Sequence, residues 1–326
     1  MKQTRFARYA WGVLVYNLLV IMWGTFVRAT GSGAGCGAHW PACNGQIIPW
    51  SPQIETLIEF SHRVTTSLSG LLVIGLLVWA FRAFPRGHRV RWSAAFTLFF
   101  VVLEGAVGAV QVKLGLVADN PSLSRAVVGS IHLVNTFFLI GAIVLTAWWS
   151  SGGAALRLRG QGMLGVMLGV GLVAALLLGA SGAITELGDT LFPASSLREG
   201  FAQDFSPTAH FLIRLRVFHP VIAILLGVYT VLASMAAIRL RPSPTTRTAA
   251  YALCTLFFIQ LLLGALNVYL LAPVWMQLVH GLFADLVWLA MVLLAASVLA
   301  QPAPHYVPAS VAQPVPGALG DGKQGV

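Results

Sequence analysis

The chain has 326 residues, of which 57% are hydrophobic and 9% charged, against roughly 25% charged in ordinary soluble domains; its mean hydropathy is +0.81. That balance excludes a soluble globular protein and calls for a polytopic membrane protein, with the lipid bilayer as its first partner. A formal net charge of +10 would suit nucleic acid, but the basic residues recur in alternate connections between apolar runs, which is the pattern of membrane topology, and nucleic-acid binding is excluded.

Apolar runs long enough to cross a bilayer occupy residues 11–29, 58–82, 92–113, 126–149, 163–184, 208–238, 248–271 and 274–300. They predict an all-α protein of eight transmembrane helices. Lys2, Arg5 and Arg8 precede the first run, and Arg82, Arg86, Arg89 and Arg91 lie between the second and third. Arg157 and Arg159 follow the fourth, and Arg239, Arg241 and Arg247 the sixth. The other connections are neutral or acidic, above all 185–206 with Glu186, Asp189, Glu199 and Asp204. The positive-inside rule therefore puts both termini in the cytoplasm of a cell that carries the protein in its plasma membrane.

The first run, basic in front and followed by small residues, has the outline of a cleaved signal peptide. A counterpart in the second half argues against cleavage. WGTFVRATGSG at its end is matched by LGASGAITELG at the end of the fifth run, aligning Gly24 with Gly179, and GAVQV in the third run is matched by GALNV in the seventh. The chain thus reads as two parallel four-helix halves, residues 1–160 and 161–300, related by an axis along the membrane normal. Residues 301–326, rich in Pro, Gly and Ala without apolar periodicity, read as a disordered cytoplasmic tail.

In the same register His62 falls opposite His219, and His132 opposite His280. All four lie at similar depth in even-numbered runs, where a lone histidine would often be a hydrogen-bonded packing residue. His39, His88, His210 and His305 fall in loops, at a helix end or in the tail. Two imidazoles facing each other across a four-helix core suit a six-coordinate haem. Zinc is the competing ligand, opposed by the need to converge residues of both halves on one tetrahedral site. Gly70, Gly105, Gly108 and Gly264 would thin the helix walls for a flat ligand, or serve ordinary helix packing. Arg28, Arg63, Arg125, Arg214 and Arg216 gather at the outer helix ends, where they could pair with propionates or snorkel to lipid phosphate.

Cys36 and Cys43, in GSGAGCGAHWPACNG on the extracytoplasmic side, favour a disulfide. The small loop it closes implies about 2.5 kcal/mol of stabilisation, and thiol exchange is the alternative role. Cys254 reads as a small apolar core residue.

TGSG, then the two cysteines with Trp-Pro between them, then IEFSHR opening the second run, together with a second histidine in each half, resemble the haem A synthase family, in its bacterial type, over residues 11–300. The resemblance implies an oxidoreductase that converts a ring methyl of haem O, through a hydroxymethyl, to the formyl of haem A for cytochrome oxidase. It implies haem b as cofactor, its iron held by residues matching His219 and His280. Haem O, the substrate, would be received at His62 and His132, with Glu59 as the catalytic carboxylate. A partnership with haem O synthase follows from the pathway. The family's second cysteine pair has no match in 185–206.

Glu59 lies three residues before His62, on one helix face, and faces Arg216 in the repeat, so the halves differ in charge sign at that point. Against this stands a plain i,i+4 pair of Glu59 with Arg63. Glu104, opposite Gln260, is a second intramembrane acid, read as a hydrogen-bonded packing residue before a proton-path group. The alternative function is a bis-histidine b-type cytochrome exchanging electrons with quinone, which needs no Glu59. A transporter, which would need paired broken helices at the midplane, is disfavoured.

Overall fold

The computed structural model describes residues 2–50 and 52–300; the tail 301–326 lies outside the described residues. Ten α-helices and one 3₁₀ turn are present among them. They are α1 (Lys2–Ala29), the turn Ser32–Ala34, α2 (Ile54–Ala83), α3 (Arg89–Lys113), α4 (Leu123–Ser150) and α5 (Gly162–Leu191), then α6 (Leu197–Asp204), α7 (Phe211–Arg216), α8 (Phe218–Leu240), α9 (Pro244–Tyr269) and α10 (Val274–Leu299). Counting α7 and α8 as one span, eight helices are long and apolar enough to cross a bilayer, as a multi-pass membrane protein requires.

Local chemistry sets where these helices start and stop. Ser122 caps α4 by accepting a hydrogen bond from the Arg125 backbone, and Ser243 caps α9 in the same way ahead of Pro244, as N-cap serines do. Gly115, at φ 63°, ends α3, and Leu116 N–H donates back to Gln111 O at 2.8 Å, a Schellman closure that favours glycine in the left-handed region. The sixth apolar run is interrupted at Val217. Pro220 explains the break, because its ring removes the bond to the Arg216 carbonyl and crowds that carbonyl.

Several helices run past their apolar cores, among them α1, α2 and α5. α1 begins at Lys2 rather than 11, α2 at Ile54 rather than 58, and α5 continues to Leu191 rather than 184. Glu186 and Asp189, expected in a loop, are therefore helical. The short helix α6 was not legible as an element in the sequence.

Helices α1, α2, α3 and α4 pack in a closed ring, each against the next and α4 against α1. Helices α5, α8, α9 and α10 do likewise. The two rings meet where α4 packs on α5 and α10, and α1 on α10. At that seam Phe137 and Trp288 stack with ring centroids 5.3 Å apart, and the Trp288 indole donates to Phe137 O at 2.6 Å. The outward faces of α2, α3, α5 and α8 expose Leu71, Phe96, Phe99, Val170, Leu177 and Leu225, as expected of helices whose solvent is hydrocarbon.

Candidate functional site

Each of the four intramembrane histidines sits about two turns into its span, and each ring lies against a glycine of a neighbouring helix. A Cβ added to Gly24 of α1 would come within 3.0 Å of the His62 ring, one on Gly182 of α5 within 3.1 Å of His219, and one on Gly264 of α9 within 3.2 Å of His280. Gly108 of α3 faces His132 more loosely, at 3.8 Å. The glycines are thus packing partners of the imidazoles, with Gly182 in place of the Gly179 that the repeat alignment singled out; Gly179 packs on Phe137 instead.

That three-residue change of register has independent support. Tyr9 of α1 donates to Leu72 O of α2, and Tyr229 of α8 donates to Met167 O of α5, both at 2.8 Å. The two crossings coincide when Tyr9 is set against Met167, Gly24 against Gly182 and Arg28 against Glu186.

The ring nitrogens have different company in the two bundles. His132 places Nδ1 2.7 Å from Gln111 Oε1 and Nε2 2.8 Å from Glu104 Oε1. Glu104 also accepts from Thr136 at 2.5 Å and from the Asn135 amide. His219 Nδ1 lies 2.9 Å from Ser181 Oγ, and the His280 ring lies edge-on to it with centroids 6.5 Å apart. The Nδ1 atoms of His62 and His280 are buried without a hydrogen-bond partner among the described residues.

Glu59, buried at 4% exposure, sits one turn before His62. Its Oε2 accepts from the Cys36 backbone N–H at 2.7 Å, and its Oε1 from Arg63 Nε at 3.1 Å and from Arg63 Nη2. Arg63 Nη1 reaches back to the carbonyls of His39 and Ala42, each at 2.7 Å, and Thr56 Oγ1 donates to Gly35 O at 2.6 Å. A Cβ on Gly35 would fall 2.4 Å from the Glu55 backbone, so only glycine allows the loop to lie this close to α2. Cys36 and Cys43 form the disulfide inside this loop, and both are fully buried.

Four of the five outer arginines already hold protein partners. Arg28 pairs with Glu186 across the two bundles, and Arg63 with Glu59. Arg125 donates to the carbonyls of Ala118 and Asn120. Arg216 pairs with Asp189 at 3.1 Å and with Asp204. Arg214 is exposed and makes no ion pair among the described residues. Of the other histidines, His88 and His210 cap α3 and α7, His39 lies in the disulfide loop, and His305 falls outside the described residues. Asp285, on α10, is buried at 2% exposure with Oδ2 unpartnered among the described residues. Sequence reasoning passed over it, although a carboxylate in mid-span is itself a signal.

Comparisons with known proteins bear on these features. A "Protoheme IX farnesyltransferase" of Thermus thermophilus is 56% identical over 296 residues, 91% of this chain and 49% of that protein. A "Heme A synthase" of Shouchella clausii is 43% identical over 98 residues, 30% of this chain and 33% of that protein. One of Symbiobacterium thermophilum is 40% identical over 130 residues, 39% of this chain and 40% of that protein. The chain thus spans about half the length of the Thermus relative and less of the other two. The profile of the "Cytochrome oxidase assembly protein" family, COX15-CtaA, matches residues 7–292, and with that match the chain belongs to this family.

Proposed function

We propose that this protein is a haem A synthase, that the four-helix rings are its two halves, and that each half offers one histidine pair to one haem. His62 and His132 receive haem O, the substrate, and His219 and His280 hold haem b. The observation that carries the reading is the set of four glycine-backed histidines in two bundles, with one carboxylate, Glu59, a turn ahead of one of them.

The residues fit such a ligand. Ring centroids 6.5 Å apart at His219 and His280 match two metal–nitrogen bonds of about 2 Å plus the ring radii. The facing glycines leave each ring a flat wall. Haem b bound at the second pair supplies one-electron chemistry, which protein side chains lack. The protein's part is to orient the substrate and handle protons. A ring methyl must lose electrons and protons and gain oxygen twice, the geminal diol then losing water. Glu59 is the group we assign to take the proton or stabilise the oxidised carbon, and Arg63 fixes its carboxylate. The loop holding Cys36 donates one backbone N–H to the same carboxylate, so the disulfide braces the catalytic group.

With the basic connections in the cytoplasm, the histidines and the disulfide loop face the extracytoplasmic side. The partner is haem O synthase. The Thermus relative, named for transfer of farnesyl to protohaem, has half its length outside the match, so the region this chain matches is joined there to another.

The test is mass spectrometry of haems extracted from a haem O-producing host that expresses this protein or its Glu59→Ala variant. Haem A or its hydroxymethyl precursor from the former, with only haem O and haem B from the latter, supports the enzyme. Haem O untouched by both, with haem B copurifying, makes the protein a b-type electron carrier.

A further inference from the structure

We propose that Glu104 makes the His62–His132 site the exchangeable one of the two, so that a haem enters and leaves there while the other site keeps its own. The inference rests on the ligand assignment above and concerns what competes with iron for each histidine.

Glu104 of α3 and Gln260 of α9 hold the same place, each four residues before the glycine that faces the histidine, Gly108 or Gly264. Their side chains do different things. Glu104 Oε1 lies 2.8 Å from His132 Nε2, and the carboxylate is braced for that contact by Thr136 and Asn135. Gln111 holds Nδ1, so neither ring nitrogen is free, and iron can take Nε2 only by displacing Glu104. Gln260 is a weak competitor. Its amide nitrogen stands 3.3 Å from His280 Nε2 while also donating to the His280 carbonyl at 3.1 Å, and its Oε1 has no partner among the described residues.

A hydrogen bond to a charged group outweighs a neutral one, by an amount equivalent to about fivefold to thirtyfold in an equilibrium. A carboxylate ready to reclaim His132 therefore weakens retention of any haem at the first site, and an amide leaves the second site tight. A substrate site needs such release, because the product must leave the same ligands that held the reactant. A resident cofactor needs the opposite.

The experiment measures haem release. Purified protein in detergent is loaded with ferric protohaem at both sites, and excess apomyoglobin takes up whatever dissociates. Wild type should release in a fast and a slow phase. His132→Ala should remove the fast one and His280→Ala the slow one. Glu104→Gln should slow the fast phase by about tenfold, leaving the slow phase as its internal check of folding. Gln260→Glu should speed the slow phase, so the idea stays testable even where one variant folds poorly. A fast phase that His132→Ala removes but that neither Glu104→Gln nor Gln260→Glu shifts by more than about twofold overturns the inference and leaves the ligand assignment standing. Release phases indifferent to both histidine substitutions overturn the assignment, and the inference with it.

Discussion

Glu59 and Arg216 occupy matching places, one turn before a histidine in each bundle, and both are used to fasten a loop. Glu59, with Arg63, ties down the disulfide loop through the Cys36 amide and the carbonyls of His39 and Ala42. Arg216 ties down the segment around α6 through Asp204, the Gly200 carbonyl and Asp189. The fastening job can evidently be done by either sign of charge. A structural role alone therefore leaves the choice of a carboxylate beside His62 unexplained, and that choice sets the first site apart. The same contrast recurs deeper in the bundles, with Glu104 against His132 and the neutral Gln260 against His280.

The largest effect expected from this comparison is at Arg216. Its side chain is only 10% exposed and contacts two carboxylates, so Arg216→Leu leaves both Asp189 and Asp204 without their cation. Removing one partner of a buried ion pair costs about 3–5 kcal/mol, read as a lower unfolding temperature in detergent. Arg63→Leu should cost less, because Glu59 keeps the Cys36 N–H. Equal losses would show that the Glu59 cluster is as purely structural as its counterpart, and would weaken the case for catalysis there.

Next comes the disulfide. Replacing Cys36 and Cys43 together by serine should cost about 2.5 kcal/mol of stability and should lower haem A yield beyond what unfolding explains, because the loop, without its cross-link, holds the backbone N–H of residue 36 less firmly against Glu59. If His219 and His280 hold a haem as proposed, its absorbance should stay as in wild type. An unchanged yield per folded molecule would mean that Glu59 needs no brace from the loop.

Much of this arrangement was legible in the sequence, for reasons specific to the residues. Long apolar runs mark spans because lipid accepts little else, and His62, His132, His219 and His280 stood out because polar groups there are expensive. The i,i+4 spacing of Glu59 and Arg63 is a local geometric fact, and their ion pair was the plain reading beside the catalytic one. Less visible were features fixed by distant contacts. Hydropathy ends α5 near residue 184, but Arg28 and Arg216 supply partners for Glu186 and Asp189 and let the helix run on. The α1–α5 register slipped by three residues because GASG offers two glycines three apart. Composition cannot say which one meets a histidine; the positions of Tyr9 and Tyr229 can.

The smallest effect tests the glycine walls, and it compares two positions within one bundle. A methyl on Gly24 would meet His62 at 3.0 Å, inside normal contact, whereas one on Gly108 would meet His132 at an ordinary 3.8 Å. Gly24→Ala should therefore push the His62 ring, with an overpacking cost of about 1 kcal/mol, and Gly108→Ala should be near neutral. If these glycines back metal-bound imidazoles, the strain has a spectroscopic face: Gly24→Ala should shift or broaden the low-spin haem signal of the first site and leave that of the second unchanged. A perturbed second site would mean that α1 transmits strain across its contact with α10, so that the bundles are mechanically one body. An undisturbed spectrum in both variants would mean that the glycines serve helix packing alone, and the histidine pattern would then have to carry the functional reading without them.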